Sequence, residues 1–212
     1  MCYDVCIKTV QRTAEVDTIE AGPLDMSVTE PREVKLTIAD LELLDREWRK
    51  TDAFRSTELI DGRIYHTAAR YIPRATATGE LMFRLRDALE AIGSGHYVGI
   101  RGSIAMPPHD LPLPDIVLTD APSGPWFIPA ASVPLVIEVA ETALDFFMGE
   151  KARLYARNGI PEYWVLDLQG RAIHQRWSPQ RDGYAKRREV SLGDPIEAIT
   201  LAGISISTAG LA

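Results

Sequence analysis

The chain has 212 residues, 46% hydrophobic and 25% charged, with a formal net charge of −7. That composition excludes disordered and collagen-like chains, and at about 150 residues per domain the length allows one large domain or one domain with an extension. Two cysteines, Cys2 and Cys6, exclude a disulfide scaffold and a four-cysteine zinc site; with no apolar run of the roughly 18 residues a membrane span needs, a soluble cytoplasmic protein without a membrane partner is expected.

Residues 1–33 hold seven acids against three bases, more than half of the net charge, and show no sustained period. They read as a weakly ordered acidic extension preceding a domain over 34–212. In that domain Thr37 reads as an N-cap with Asp40 in the capping-box position and Leu36 stapled to Leu41. The helix runs to about Lys50 on the face Ile38, Leu41, Leu44 and Trp48. Ser56–Ile60 and Arg63–Thr67 flank Asp61-Gly62, the dipeptide of a two-residue hairpin turn. Leu81, Leu85, Leu89 and Ile92 predict a helix from about Thr78 to Ile92, closed by Gly93. Strands are then expected at Tyr97–Met106, Asp115–Thr119, Pro134–Ala140, Tyr163–Leu168, Ala172–Trp177, Tyr184–Val190 and Ile196–Leu201. One helix, about Phe146 to Asn158, interrupts them and ends at Gly159 before Pro161. Continuous apolar runs before and after that helix predict a mixed sheet covered on both faces. Within the late strands, residues 171–188 carry six bases against Asp182 alone. That run is either a solvated face or a phosphate-tracking surface formed by Arg171, Arg176, Lys186, Arg187 and Arg188.

Familiar sites are absent. There is no phosphate loop, dinucleotide fingerprint or nucleophile elbow, so no organic cofactor is expected. His66, His96, His109 and His174 have no partner at helical ligand spacing.

Two carboxylates stand out on apolar strands. Asp115 heads Ile116-Val117-Leu118, and Glu138 interrupts Val133-Pro134-Leu135-Val136-Ile137 and Val139-Ala140. A glutamate inside such a run needs a salt bridge, a raised pKa or a bound cation. A second carboxylate beside it would repel it unless a divalent cation lies between them. Two carboxylates, a carbonyl and waters suit Mg²⁺, and such a site polarises a phosphodiester. Lys151, thirteen residues after Glu138, could bring an ammonium to that site. Ala140 leaves room for it, and Tyr155 lies on the same helical face. The bland alternative is that Glu138 pairs with Lys151 or an arginine, while Asp115 caps a turn after Pro114.

Five segments carry a resemblance: Leu113-Pro114-Asp115-Ile116-Val117, Pro134-Leu135-Val136-Ile137-Glu138-Val139, Gly149-Glu150-Lys151 with Leu154-Tyr155-Ala156, Gly159-Ile160-Pro161-Glu162-Tyr163-Trp164-Val165-Leu166-Asp167, and upstream Glu58-Leu59-Ile60-Asp61-Gly62-Arg63-Ile64. Over roughly residues 36–206 the chain resembles the Uma-type putative restriction endonuclease family, a branch of the PD-(D/E)XK nuclease superfamily. The resemblance implies an α/β fold with a restriction-endonuclease-like mixed sheet flanked by helices, plus an added N-terminal helix and β-hairpin. It implies a Mg²⁺ site (Mn²⁺ as substitute) built from Asp115, Glu138 and the Val139 carbonyl, with Lys151 and Glu58 as further catalytic residues. Relatives carry a small polar residue soon after the glutamate and an aspartate nine residues beyond it; here those positions read Ala140-Glu141 and Phe147. Asp145 lies two residues away, about 200° around a helix. Where relatives have a histidine before the second helix, this chain has Arg74-Ala75-Thr76-Ala77.

The reading is a Mg²⁺-dependent endonuclease acting on DNA, duplex rather than RNA, as a homodimer because two symmetric sites suit two strands. The alternatives are a catalytically weak or inactive nuclease fold that binds nucleic acid or a protein partner, and a metal-dependent hydrolase of a small phosphoester.

Overall fold

The computed structural model describes residues 33–48, 57–66, 72–122, 124 and 127–212. The acidic extension, save Glu33, lies outside these residues, as do Cys2, Cys6, Lys50, Ser56 and Thr67.

Helix α1 (Ile38–Trp48) opens with a reciprocal box: the Asp40 N–H donates to Thr37 Oγ1 at 3.2 Å, and the Thr37 N–H to Asp40 Oδ2 at 2.8 Å. Leu41 is buried against Leu59 and Leu111, with Leu36 packed alongside. Strands β1 (Thr57–Ile60) and β2 (Arg63–His66) form the expected hairpin. Asp61 and Gly62 both take positive φ (51° and 75°), as a type I′ turn requires. A Cβ on Gly62 would come within 2.5 Å of Lys35 Cβ, so glycine is also needed for the close approach.

Helix α2 (Ile72–Ala91) starts six residues earlier than the apolar spacing predicts. Residues 72–77, which it adds, are largely exposed and carry no apolar stripe, and Pro73 sits where a missing N–H costs nothing. Gly93 ends it at φ 62°, with Ser94 N–H bonded to the Leu89 carbonyl. The single strand expected over Tyr97–Met106 is two strands, β3 (Tyr97–Ile100) and β4 (Ile104–Ala105). Arg101, at φ 53°, breaks it because each half has a different partner: β3 pairs with β5 (Ile116–Thr119), β4 with β6 (Ile128–Pro129).

After β7 (Leu135–Ala140), helix α3 covers residues 144–157 and begins two residues before the expected Phe146. Its middle, Phe147–Lys151, is a π turn. There follow β8 (Glu162–Asp167), β9 (Ala172–Gln180), β10 (Gly183–Ser191), β11 (Pro195–Glu197) and β12 (Ser205–Ser207). The strand expected over Ile196–Leu201 stops at Glu197 because the Ile199 and Thr200 N–H groups turn inward to Glu162 Oε2, each at 2.8 Å. The chain then returns through β12.

The main sheet runs β10-β9-β8-β7-β5-β3, antiparallel except for β7 beside β8, which α3 connects. Every residue of β5, β7 and β8 is buried, so both faces are covered. On one face Ile116, Leu118, Ile137 and Trp164 pack under α2, β11 and β12. On the other, Val117, Val136, Ala140, Tyr163 and Val165 pack under α3 with Ile60 of the hairpin. The fold is thus the α/β mixed sheet flanked by helices that the sequence implied. Among the described residues no helix is long and apolar enough to cross a membrane.

Candidate active site

Strand alternation decides which acids meet. Val136 and Ala140 face α3, so Glu138 between them faces it too. Val117 faces α3 as well, and Asp115 is two residues before it. The β5–β7 register pairs Ile116 with Ile137; one step further sets Asp115 opposite Glu138. The two carboxylates are therefore cross-strand neighbours on the face of α3, close to the carboxyl end of β7.

Neither can reach water: Asp115 is 0% and Glu138 1% exposed. Asp115 Oδ2 accepts the Val139 N–H at 2.8 Å, a bond across strands rather than a turn cap. Arg74 Nη2 donates to the same oxygen at 2.8 Å. Glu138 Oε1 accepts Lys151 Nζ at 2.8 Å and the Tyr155 hydroxyl at 2.9 Å. Lys151 Nζ also meets Glu58 Oε2 at 2.6 Å, and the Leu113 N–H donates to that oxygen at 3.1 Å. Glu58 arrives because β1 bonds residue 111 from both sides, Leu59 N–H to Leu111 carbonyl and back. Asp115, Glu138, Lys151 and Glu58 thus converge, and Lys151 bridges two of the acids.

Burial pushes the Glu138 carboxyl up to about 7; Lys151 pulls it back, while Asp115 and Glu58 add to the rise. For Lys151, burial works against the ammonium, but Glu138 and Glu58 more than offset it and hold its pKa above the ordinary lysine value. The lysine stays charged while its glutamate partner is poised near neutrality. Burial, then Glu138, drives Tyr155 well above the usual tyrosine range, so its hydroxyl keeps its proton and donates it to Glu138.

The π turn is what aims Lys151. The Ala152 N–H bonds the Phe147 carbonyl, five residues back, and the Tyr163 hydroxyl donates to that carbonyl at 3.0 Å. An inserted residue rotates the helix before it relative to the helix after it. Phe147 is consequently buried, its ring 5.8 Å from the Arg74 guanidinium carbon and 5.7 Å from Lys151 Nζ. Asp145 is exposed and takes no place in the site.

Sequence reasoning noted Arg74 only as a departure from the relatives. Pro73, in the first turn, was the signal that α2 reached back far enough to deliver it. The Leu113 N–H and the Tyr163 hydroxyl carried no sequence signal, because both contacts depend on tertiary placement.

The basic run is not one surface. The β9–β10 register pairs Arg187 with Arg176 and Arg188 with Gln175, on opposite faces. Arg176 points to α3, where Nη2 meets Met148 Sδ at 3.6 Å; burial lowers its pKa. Arg188 points the other way, to Gln175 and the Glu197 carbonyl, and Lys186 shares its side. Arg171 precedes β9 and donates to the Ala212 carbonyl at 2.9 Å. Arg176 and Arg187 alone share the face of the buried acids, two and three strands from β7.

Among the described residues, no three acidic, histidine or cysteine side chains gather as a metal cluster. A cation would rest on Asp115, Glu138 and a main-chain carbonyl. Val139 is suited to be the third: its N–H leaves β7 toward Asp115, and a strand residue presents N–H and C=O on the same edge. Oxygen donors of this kind fit Mg²⁺ or Mn²⁺.

Residues 41–209 match the family model Uma2, described as putative restriction endonuclease. The chain belongs to the Uma2 family. The fold agrees with that membership: the chain is similar to a putative nuclease of the DUF820 family from Anabaena variabilis, with a TM-score of 0.55, 12% identity, and 72% of this chain and 87% of that one covered. No match is found among curated proteins. A Uma2 chain is a nuclease-type protein, and a nucleic acid is the substrate that such a family implies.

Proposed function

We propose that this Uma2 protein is a divalent-metal-dependent endonuclease that hydrolyses phosphodiester bonds of duplex DNA, acting as a cytoplasmic homodimer. The observation that carries this reading is the pair of buried, cross-strand carboxylates with one lysine between them and a third acid. Glu138 is held near 7 chiefly by burial, against the pull of Lys151, with Asp115 and Glu58 adding to the rise. Asp115, Glu138 and the Val139 carbonyl would hold Mg²⁺ or Mn²⁺, which supplies Lewis-acid polarisation of the phosphodiester. Lys151, bridging Glu138 and Glu58, holds a fixed ammonium where charge develops on the phosphoryl oxygens in the transition state. Tyr155 keeps Glu138 turned toward Lys151. Glu58 holds the ammonium from its other side, and the Leu113 N–H fixes Glu58 in turn. Arg176 and Arg187, which share this face, would meet phosphates there; Arg171, Lys186 and Arg188 would serve only nucleic acid that wraps the sheet edge.

Plasmid nicking with Mg²⁺, Mn²⁺ or EDTA, run beside Glu138→Gln, tests the reading. Metal-dependent nicking that falls at least about 10²-fold in the variant supports it. Phe147, filling the space beside both cations, favours a second reading, a nuclease fold that binds nucleic acid without cutting it. Salt-dependent DNA affinity with no nicking under any metal would establish that one, and metal-dependent hydrolysis of a small phosphoester without DNA affinity would replace both.

A further inference from the structure

Arg74 is the one charged side chain of the site with an opening to solvent. Its side chain is 15% exposed, against 6% for Glu58, 1% for Glu138 and Lys151 and 0% for Asp115. Its backbone is fixed in the first turn of α2, where Thr78 Oγ1 donates to the Arg74 carbonyl at 2.7 Å. The guanidinium lies over Phe147 and spends one nitrogen, Nη2, on Asp115. Its Nε is buried and has no hydrogen-bond partner among the described residues. A buried N–H without an acceptor costs free energy, and a planar guanidinium is the side chain that recognises two oxygens of a phosphate at once. Arg74 therefore carries donor capacity that Asp115 does not use.

Asp115 also faces a conflict. The oxygen that Arg74 holds belongs to a carboxylate proposed as a metal ligand, and like charges within about 4–6 Å of each other disfavour one another. We propose that Arg74 is a phosphate ligand held on Asp115 until a divalent cation takes that carboxylate, whereupon the guanidinium passes to a backbone phosphate of the nucleic acid. This rests on the metal site proposed above. Movement of the side chain alone suffices, since its backbone is anchored in a formed helix and the side chain is 15% exposed. Phe147 gives the cation an apolar face to slide on, where a charged residue would pin it.

Arg74→Gln tests the handover with two measurements. Calorimetric titration with Mn²⁺ in the absence of DNA is expected to show affinity tighter by on the order of tenfold, because a competing cation has gone. Affinity for a short duplex is expected to be unchanged in EDTA. In Ca²⁺, another hard cation with oxygen ligands, it should weaken by on the order of tenfold, with the log-affinity against log-salt slope flatter by about 0.9. Mn²⁺ affinity that stays the same or falls overturns the competition, and an equal loss of DNA affinity in EDTA and Ca²⁺ overturns the exchange. Arg74→Lys, which keeps a charge without the planar fork, reads the DNA-affinity arm alone if the glutamine variant does not fold; a Ca²⁺-specific loss of DNA affinity must persist in it, and its absence overturns the exchange. Wild-type protein without Mn²⁺ binding that Asp115→Asn removes would overturn the metal site itself. Wild-type binding that Arg74→Gln leaves unaltered overturns the handover alone.

Discussion

Two glutamates lie inside neighbouring, fully buried strands, and their surroundings separate a structural acid from a candidate reactive one. Glu162, at the start of β8, faces α2 and is surrounded by neutral donors: Trp164 Nε1, Gln175 Nε2, the Ile199 and Thr200 N–H groups and Thr200 Oγ1. It ties the loop after β11 to the sheet. Glu138, near the end of β7, faces α3 and is surrounded by charge: Lys151 in front, Asp115 across the strand and Glu58 behind the lysine. The difference teaches that burial of an acid in an apolar strand does not mark a site. What sets Glu138 apart is charged neighbours of both signs, where Glu162 has neutral donors alone.

The comparison is tested most severely at Lys151. Lys151→Met keeps the length of the stem and leaves Glu138 and Glu58 buried without their counter-ion, which should destabilise the fold by about 3–5 kcal/mol at pH 8. Urea unfolding measures it, and the loss should shrink toward pH 5 as Glu138 takes a proton. A loss under 1 kcal/mol at pH 8 would mean that these acids are not truly crowded.

Next in size is the pH dependence of the unliganded protein. A carboxyl raised from the ordinary 4.5 to about 7 in the fold binds its proton more tightly folded than unfolded. Its contribution is therefore fully present below 4.5 and is lost as pH rises through 7. At roughly 1.4 kcal/mol per pH unit between those values, about 3 kcal/mol disappears. Asp40 and Asp61, whose carboxyls are lowered by their hydrogen bonds to Thr37 and Lys35, act in the opposite sense below about pH 4. The informative quantity is hence the difference between wild-type and Glu138→Gln stability across pH 4–8, which should change by about that amount. A flat difference would break the contrast between the two glutamates.

The smallest effect is expected at Glu162. Glu162→Gln puts an amide N–H₂ against groups that are themselves donors, which should cost about 2 kcal/mol. Chemical denaturation gives the loss, while Mn²⁺ binding and DNA affinity in the folded variant should match wild type. A change in metal binding would place Glu162 in the site after all.

Local signals in the sequence were enough for much of the fold. Thr37 with Asp40, Asp61-Gly62 and Gly93 are decided by backbone chemistry within a few residues, and the start of α1, the hairpin turn and the end of α2 stand where they put them. Elements whose ends depend on distant partners were less legible. The Tyr97–Met106 run splits at Arg101 because its halves join different strands. Strand β11 stops short because Glu162, 38 residues before Thr200, captures the Thr200 hydroxyl and the main chain beside it. The π turn had no signal at all, since its hydrogen bonds shift by one residue without altering the apolar period enough to read.

For the candidate site, the amino-acid sequence determined which groups were unusual: acids in apolar strands are conspicuous because burying an ionised group is costly, and Ala140 beside Glu138 marks space on one strand face. The tertiary structure alone decided what those groups meet. Cross-strand register sets Asp115 opposite Glu138, the π turn swings Lys151 between Glu138 and Glu58, and the first turn of α2 brings Arg74 to Asp115 from 41 residues away in the chain. The period of two along β9 and β10 likewise divides a basic run that looks continuous in one dimension into two faces of a sheet. Composition and local pattern report the cost of each side chain's environment; only packing supplies the partner that offsets it.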